Sequence, residues 1–422
     1  MTGCLISFRL QSTMLAEKNS LIARPSARYE FGLVVLLFFT WGTVFLDRMS
    51  LLYLAPFIAP DLHLSHTQVG LLISALAVAW AFSGLLFGAI SDRIGRRPVL
   101  VPAVFVFSVL SWVSGVVRSF AQLFVVRALM GIAEGPTWST ITATVEESSA
   151  TNRRGRNVGV VVSAAALVGL ALAPVLTTQI AGRVGWRGAF FVAGVPGILL
   201  GILLWRYVRE PVGRADSSRH KPSLKDYVAL LRHRNILLCC LAAAGFMTWL
   251  FVMNAFAPLY ITEVLKGSAT FAGLILGASG VGAFLWGWTL PWISDYTGRK
   301  PALLFVALIS AAVPLTYQVP YLFNHPWLLA FAGFIANGGQ GIAALSLVLV
   351  PTESVPPQFA ATAIGLATLV GEIIGGTAAP ALAGAVADRH GLAASLWIAA
   401  GGAITVFCTA LFIRETAPRR IA

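Results

Sequence analysis

The chain is poor in the residues that redox, metal and covalent chemistry require. Of 422 residues only four are cysteine, Cys4, Cys239, Cys240 and Cys408, and their spacing fits neither a disulfide framework nor a structural zinc site. Six histidines are scattered without ligand spacing. No phosphate-binding loop and no nucleophile–base pair stands out. The expectation is a protein that is not an enzyme and uses no cofactor. Charge is scarce as well, with 11% charged against 57% hydrophobic residues and a mean hydropathy of +0.81, which is not the balance of a soluble globular domain.

Acidic residues are the scarcer sign, 17 against 30 Lys and Arg. A net charge of +13 would suit nucleic acid, but the basic residues sit in short turns between apolar runs. Windows of about 20 residues, the length that spans a bilayer core, give twelve spans. They cover 31–55, 69–91, 98–117, 121–144, 158–180, 188–208, 236–261, 270–293, 301–321, 327–350, 359–385 and 392–413. Placing both ends on the cytoplasmic side puts 23 of the 30 Lys and Arg inside, 5 outside and 2 within spans, the asymmetry expected of cytoplasmic loops. Residues 1–30 read as a cytoplasmic lead-in with no apolar run of signal-peptide quality. A six-helix bundle over 31–208, a basic linker over 209–235, a second bundle over 236–413 and a tail over 414–422 complete the domain plan. The linker can lie on anionic lipid or serve only as a tether.

The two bundles echo each other. Gly88-Ala89-Ile90-Ser91-Asp92-Arg93-Ile94-Gly95-Arg96-Arg97-Pro98 is matched 203 residues later by Pro291-Trp292-Ile293-Ser294-Asp295-Tyr296-Thr297-Gly298-Arg299-Lys300-Pro301. Gly169 to Pro174 is echoed by Gly375 to Pro380 at an offset of 206, continuing into Arg183-Val184-Gly185 and Arg389-His390-Gly391. A duplicated six-helix unit can rock about a central site and expose it to each side in turn. In the first echo, Asp92 and Asp295 can meet basic residues or a helix N-terminus as a breakable latch, with Arg93, Arg96, Arg97, Arg299 and Lys300 as gating residues and membrane-surface anchors.

Ionisable residues inside spans are expensive, so each is a functional hypothesis. Asp47 and Arg48 interrupt span one. Adjacent helical residues point about 100° apart, so the two are not expected to satisfy each other. Arg127 and Glu134 in span four are seven residues apart and share a face, with Gly131 between them. Glu372 in span eleven is either a further proton site or a structural acceptor. The same residues also read as plain structural ion pairs. Burial and nearby guanidinium groups act oppositely on a carboxylate, which makes such acids able to load and release protons, while arginine offers a fork for a carboxylate. Tyr53, Trp138, Asn254, Asn337 and Gln340 are the polar and aromatic groups able to line a substrate site, or equally to bond and pack between helices.

The six-plus-six layout, the Gly-x-x-x-Asp-Arg-x-Gly-Arg-Arg turn and Arg127-x-x-x-Gly131 resemble the major facilitator superfamily, over residues 31–413. Asp47-Arg48 in helix one with Arg127-x6-Glu134 in helix four resembles its anion:cation symporter branch, which includes bacterial D-galactonate and hexuronate transporters and animal sialic-acid and organic-anion carriers. The resemblance implies an all-α membrane protein of twelve helices and a proton-coupled importer of a small organic anion in the bacterial inner membrane, working as a monomer among lipids. It implies proton transfer at Asp47 and Glu134, anion attraction at Arg48, and Arg127 coupled to Glu134. A proton-coupled drug or metabolite exporter of the same fold is the alternative, although exporters often carry Gly-Pro in helix five where this chain has Ala173-Pro174.

Overall fold

The computed structural model describes residues 26–150, 152–209, 230–356 and 359–417, and twelve long helices account for nearly all of these described residues. Helices α1 to α4 run over Ala27–Asp61, His66–Ile94, Arg97–Ser114 and Phe120–Ser148. A continuous helical stretch, Arg154–Tyr207, follows. At about 1.5 Å per residue it would be roughly 80 Å long, far beyond a bilayer. Gly185, at φ 78°, breaks it into α5 (154–184) and α6 (186–207). The end of α6 returns to the start of α1, where the Tyr207 and Tyr29 rings stack at 5.2 Å.

The second half repeats this order. Helices α7 to α12 cover Arg234–Val264, Ala269–Thr297, Arg299–Thr316, Pro326–Glu353, Ala360–His390 and Leu392–Phe412. Helix α9 stops at Thr316, short of the expected 321, and a single turn, Pro320–Phe323, fills the connection. Helix α10 is broken at Asn337–Gly338. Helix α4 is the least apolar span, because it carries Arg127, Glu134 and a run of hydroxyl residues from Thr137 to Ser148. Most of the basic linker, 210–229, lies outside the described residues, as do 1–25 and 418–422.

Backbone geometry records the duplication independently of side chains. Among the described residues the glycines at positive φ are Gly95, Gly185, Gly298 and Gly391, two pairs at the same offsets of 203 and 206 as the sequence echoes. Each ends a helix and reverses the chain at positive φ with extended ψ, a region open essentially to glycine alone that costs another residue about 1–3 kcal/mol. Helices α5 and α11 also share wide π-helical turns, Ala165–Leu172 and Glu372–Ala378.

The halves meet on the face remote from the termini. There α5 packs on α8, with Gly273 and Gly280 so close to the Pro174 and Leu170 carbonyls that a Cβ would collide. Helix α2 packs on α11 in the same way, through Gly70 against Pro380 and Gly384 against His66. Asp388 of α11 accepts from the backbone N–H groups of His66 and Thr67, both at 2.9 Å, while His66 Nε2 lies 3.1 Å from Glu263. This places a carboxylate at the N-terminus of a helix from the other half, where the helix dipole favours it. On the termini face Gly155, Gly159 and Gly365 of α5 and α11 meet nothing within 4 Å.

Candidate functional site: a buried charge cluster between the halves

Five ionisable side chains converge at mid-depth: Asp47, Arg48, Arg127, Glu134 and Glu372, none more than 3% exposed. Arg48 turns away from Asp47, as adjacent helical positions require. Its Nη2 donates to both oxygens of Glu372, at 2.8 and 3.0 Å, across the boundary between the halves. The guanidinium also lies 4.8 Å from the Phe251 ring and 5.0 Å from the Trp80 ring, so aromatic faces supply part of the solvation that water would give. The carboxylate from α11 therefore supplies the second half's answer to the helix-one arginine.

Asp47 faces α4. Arg127 and Glu134 both interact electrostatically with it. Arg127 Nη2 donates to the Arg48 backbone carbonyl at 3.1 Å, tying α4 to α1. Asp47 also approaches Ser111 of α3 and Glu134. Yet neither oxygen of Asp47 nor of Glu134 reaches hydrogen-bond geometry with any partner among the described residues. Buried polar atoms are normally satisfied, and unsatisfied carboxylate oxygens are costly. Gly131, at the middle of this face, admits the α2 backbone at Leu76 and Trp80, so it serves helix packing.

The remaining predicted site residues are distributed unevenly. Tyr53 O–H donates to Asn254 Oδ1 at 3.0 Å, another bond between halves, and lies 3.4 Å from the Gly169 carbonyl. Asn254 Nδ2 donates back to Leu250 in its own helix. Trp138 is half-buried with its ring 5.1 Å from Trp41. Asn337 is buried at the break in α10, where its Nδ2 donates to Ser279 Oγ at 2.8 Å, while Gln340 packs half-buried beside Gly287 of α8. The structure thus brings Tyr53 and Asn254 together at the boundary, and sets Asn337 in a bond between α8 and α10.

At the termini face the repeated turns build two matching networks. Arg96 binds Asp92 at 2.5 Å, Ser91 at 3.0 Å and Glu147 at 2.9 Å. Arg299 binds Asp295 at 2.7 Å, Ser294 at 2.5 Å and Glu353 at 2.8 Å. Arg97 and Lys300 cap the carbonyls of Trp205 and Leu411, the latter at 2.6 Å, and Arg93 is exposed. Among the described residues the partners named for each network come from its own half. Glu147 and Glu353 escaped sequence reasoning, although Glu147-Ser148 and Glu353-Ser354 stand 206 residues apart and carried the signal. His66, Glu263 and Asp388 on the remote face gave no comparable echo.

A family model described as Major Facilitator Superfamily matches residues 37–376. The chain belongs to this superfamily. Members are membrane transporters, and this one is a multi-pass transporter, not an enzyme. It is 29% identical to the hexuronate transporter of Bacillus subtilis strain 168, covering 91% of this chain and 94% of the relative. It is 28% identical to the cis,cis-muconate transport protein of Acinetobacter baylyi, over 87% and 91%. With the sialic acid transporter NanX of Escherichia coli K12 it shares 27% over 89% and 92%. These relatives carry organic acids, in keeping with the anion:cation branch of the superfamily. The fold superposes on the nucleoside transporter NupG with a TM-score of 0.71 at 14% identity, over 91% of this chain and 98% of that one. It superposes on an inward-facing bacterial homolog of the lysosomal transporter Spinster with 0.72 at 19%, over 92% and 96%.

Proposed function

We propose that this superfamily member imports a small organic anion, a sugar acid or an aromatic or short monocarboxylate, together with protons by alternating access. The observation that carries the proposal is the charge inventory of the dry cluster. Once Arg48 and Glu372 are paired, two carboxylates, Asp47 and Glu134, remain with one guanidinium, Arg127, and none of the four oxygens is hydrogen-bonded. Like carboxylates sharing a site do not both ionise cheaply, so one proton held between Asp47 and Glu134 leaves the cluster neutral. Arg48 supplies the anion-seeking charge, and its planar donor fork suits a carboxylate.

Rocking of the halves completes the cycle. The described arrangement is joined on the face remote from the termini. With both termini cytoplasmic in a bacterial inner membrane, as the distribution of basic residues favours, the joined face is the outer one and the site is reached from the cytoplasmic side, where Gly155, Gly159 and Gly365 meet no neighbour within 4 Å. Proton loading on the Asp47–Glu134 pair and anion capture at Arg48 from outside then favour closure of the outer side and opening to the cytoplasm, where both are released. Transport of a carboxylate panel into proteoliposomes, with and without an inward proton gradient, tests this. Gradient-accelerated, saturable uptake of one acid is expected, and E134Q should lose gradient-driven accumulation by at least about tenfold, within the range of site-to-site coupling energies, while keeping substrate exchange. Equal accumulation by E134Q removes Glu134 from the coupling path; efflux of lipophilic cations instead supports an exporter.

A further inference from the structure

The pair between Arg48 and Glu372 is an incomplete one. Both Glu372 oxygens accept from the same nitrogen, Nη2, while Arg48 Nε has no hydrogen-bond partner among the described residues. A planar carboxylate approaching the Nε–Nη2 edge can make two parallel bonds, which is the stronger geometry for this pair of groups. The arginine is thus held by a carboxylate that uses only half of its best donor edge.

Glu372 is also placed to move. It opens the wide π-helical turn Glu372–Ala378, a local irregularity that recurs at functional sites. One turn on, Gly376 leaves the space into which the carboxylate folds, since a Cβ there would stand 2.5 Å from Glu372 Oε2. Arg48 is the charge that acts on Glu372. The other helices packed here, α2 and α7, present Trp80, Met247 and Phe251, all uncharged. The bond joins α1 of the first half to α11 of the second, so breaking it removes a central tie between the bodies that must rock.

We infer that Glu372 is a built-in stand-in for the substrate carboxylate: it occupies Arg48 when the carrier is empty, and the arriving anion displaces it. Once freed, Glu372 is a buried carboxylate without a counter-ion, and it takes up a proton from bulk solution through the water that enters with the substrate. No bond of the substrate changes. One carboxylate replaces another on Arg48, and one proton passes from hydronium in solution to Glu372, leaving water. Anion binding is in this way linked to uptake of a proton separate from the one on the Asp47–Glu134 pair, and to release of the halves. This inference rests on the reading of the protein as a carboxylate carrier.

The test is binding of D-glucuronate and cis,cis-muconate, with D-glucose as the uncharged control, to purified wild type and E372Q. Calorimetry gives affinity, and a pH indicator in weak buffer gives protons taken up per anion bound. E372Q should bind the acid at least tenfold more tightly and take up close to one proton fewer per anion. The acid should also raise its melting temperature more than that of wild type. E372D, which keeps the charge but shortens the reach, should fall between the two and replaces E372Q if that variant does not fold. Equal or weaker binding by E372Q with unchanged proton uptake overturns the inference while leaving the carrier reading intact. Acid binding by E372Q but not by wild type supports it. Binding of neither acid by any of the three proteins overturns the carboxylate reading, and the inference with it.

Discussion

The central cluster and the two termini-face networks are made of the same residue types and are built on opposite principles. In the networks, Asp92–Arg96–Glu147 and Asp295–Arg299–Glu353, the acids flank one guanidinium, the partners recur at fixed offsets, and Asp92 is largely and Asp295 about half exposed. In the centre, three acids and two arginines are dry, unduplicated and partly unsatisfied. Symmetric, satisfied charge holds each bundle's end together. Asymmetric, unsatisfied charge is the kind of arrangement that the proposed coupling site would draw on, since perturbed ionisable groups gather at functional sites.

That contrast is sharpest at Arg48. Removing one partner of a buried ion pair leaves the other uncompensated, whereas removing both often costs little. R48M should destabilise the protein by about 3 kcal/mol and abolish acid binding. The double variant R48M/E372M should recover most of the stability and none of the binding, as thermal unfolding in detergent and calorimetry will show. A double variant as unstable as R48M breaks the contrast between centre and periphery.

The networks should behave alike in direction in the two halves. R96A and R299A are both expected to lower stability, by roughly 1 kcal/mol for the partly buried Arg96 and by more, up to about 3 kcal/mol, for the buried Arg299, and to slow uptake without changing the proton requirement. Flux at varied pH distinguishes this from a coupling role; an altered proton requirement in either variant erases the distinction. The reversal glycines sharpen the symmetry further. G185A and G391A each place a Cβ at positive φ in open space, so only conformational strain is added, about 1–3 kcal/mol, and their melting temperatures should fall by similar amounts.

The smallest effect is expected where the halves differ in detail. Glu415, beyond α12, is half-enclosed: burial pushes its carboxyl up, but the N–H groups of Ala417, Arg299, Lys300 and Thr416 outweigh it and hold the carboxyl below its usual range. A carboxyl lowered in the folded state stabilises above its unfolded pKa, and that contribution fades as pH falls through the folded value. E415Q should therefore cost stability at pH 7 and progressively less as the solution is acidified below the ordinary glutamate range. A deficit that stays constant with pH refutes that linkage.

Much of this architecture is legible in the sequence. Span length and basic-residue asymmetry are one-dimensional consequences of bilayer thickness and inner-leaflet charge. The duplicated Asp-x-x-Gly turn announces both networks, because each starts locally: Asp92 to Arg96 and Asp295 to Arg299 are one helical turn. Glu147 and Glu353 are harder to find, because their echo is only a Glu-Ser dipeptide lying far along the chain from the turn it completes. The partner of Arg48 is not legible, since 324 residues separate it from Glu372, and no spacing rule reaches that far.

What the sequence determined, then, was the number of spans, their duplication and the presence of costly charge in α1, α4 and α11. Hydrophobicity, helical period and glycine's tolerance of positive φ act locally along the chain. Only the tertiary structure decided which charges meet. Arg48 turned to the other half, Arg127 went to a backbone carbonyl, and Asp47 was left facing Glu134, because helix packing and the dry interior select partners by position in space.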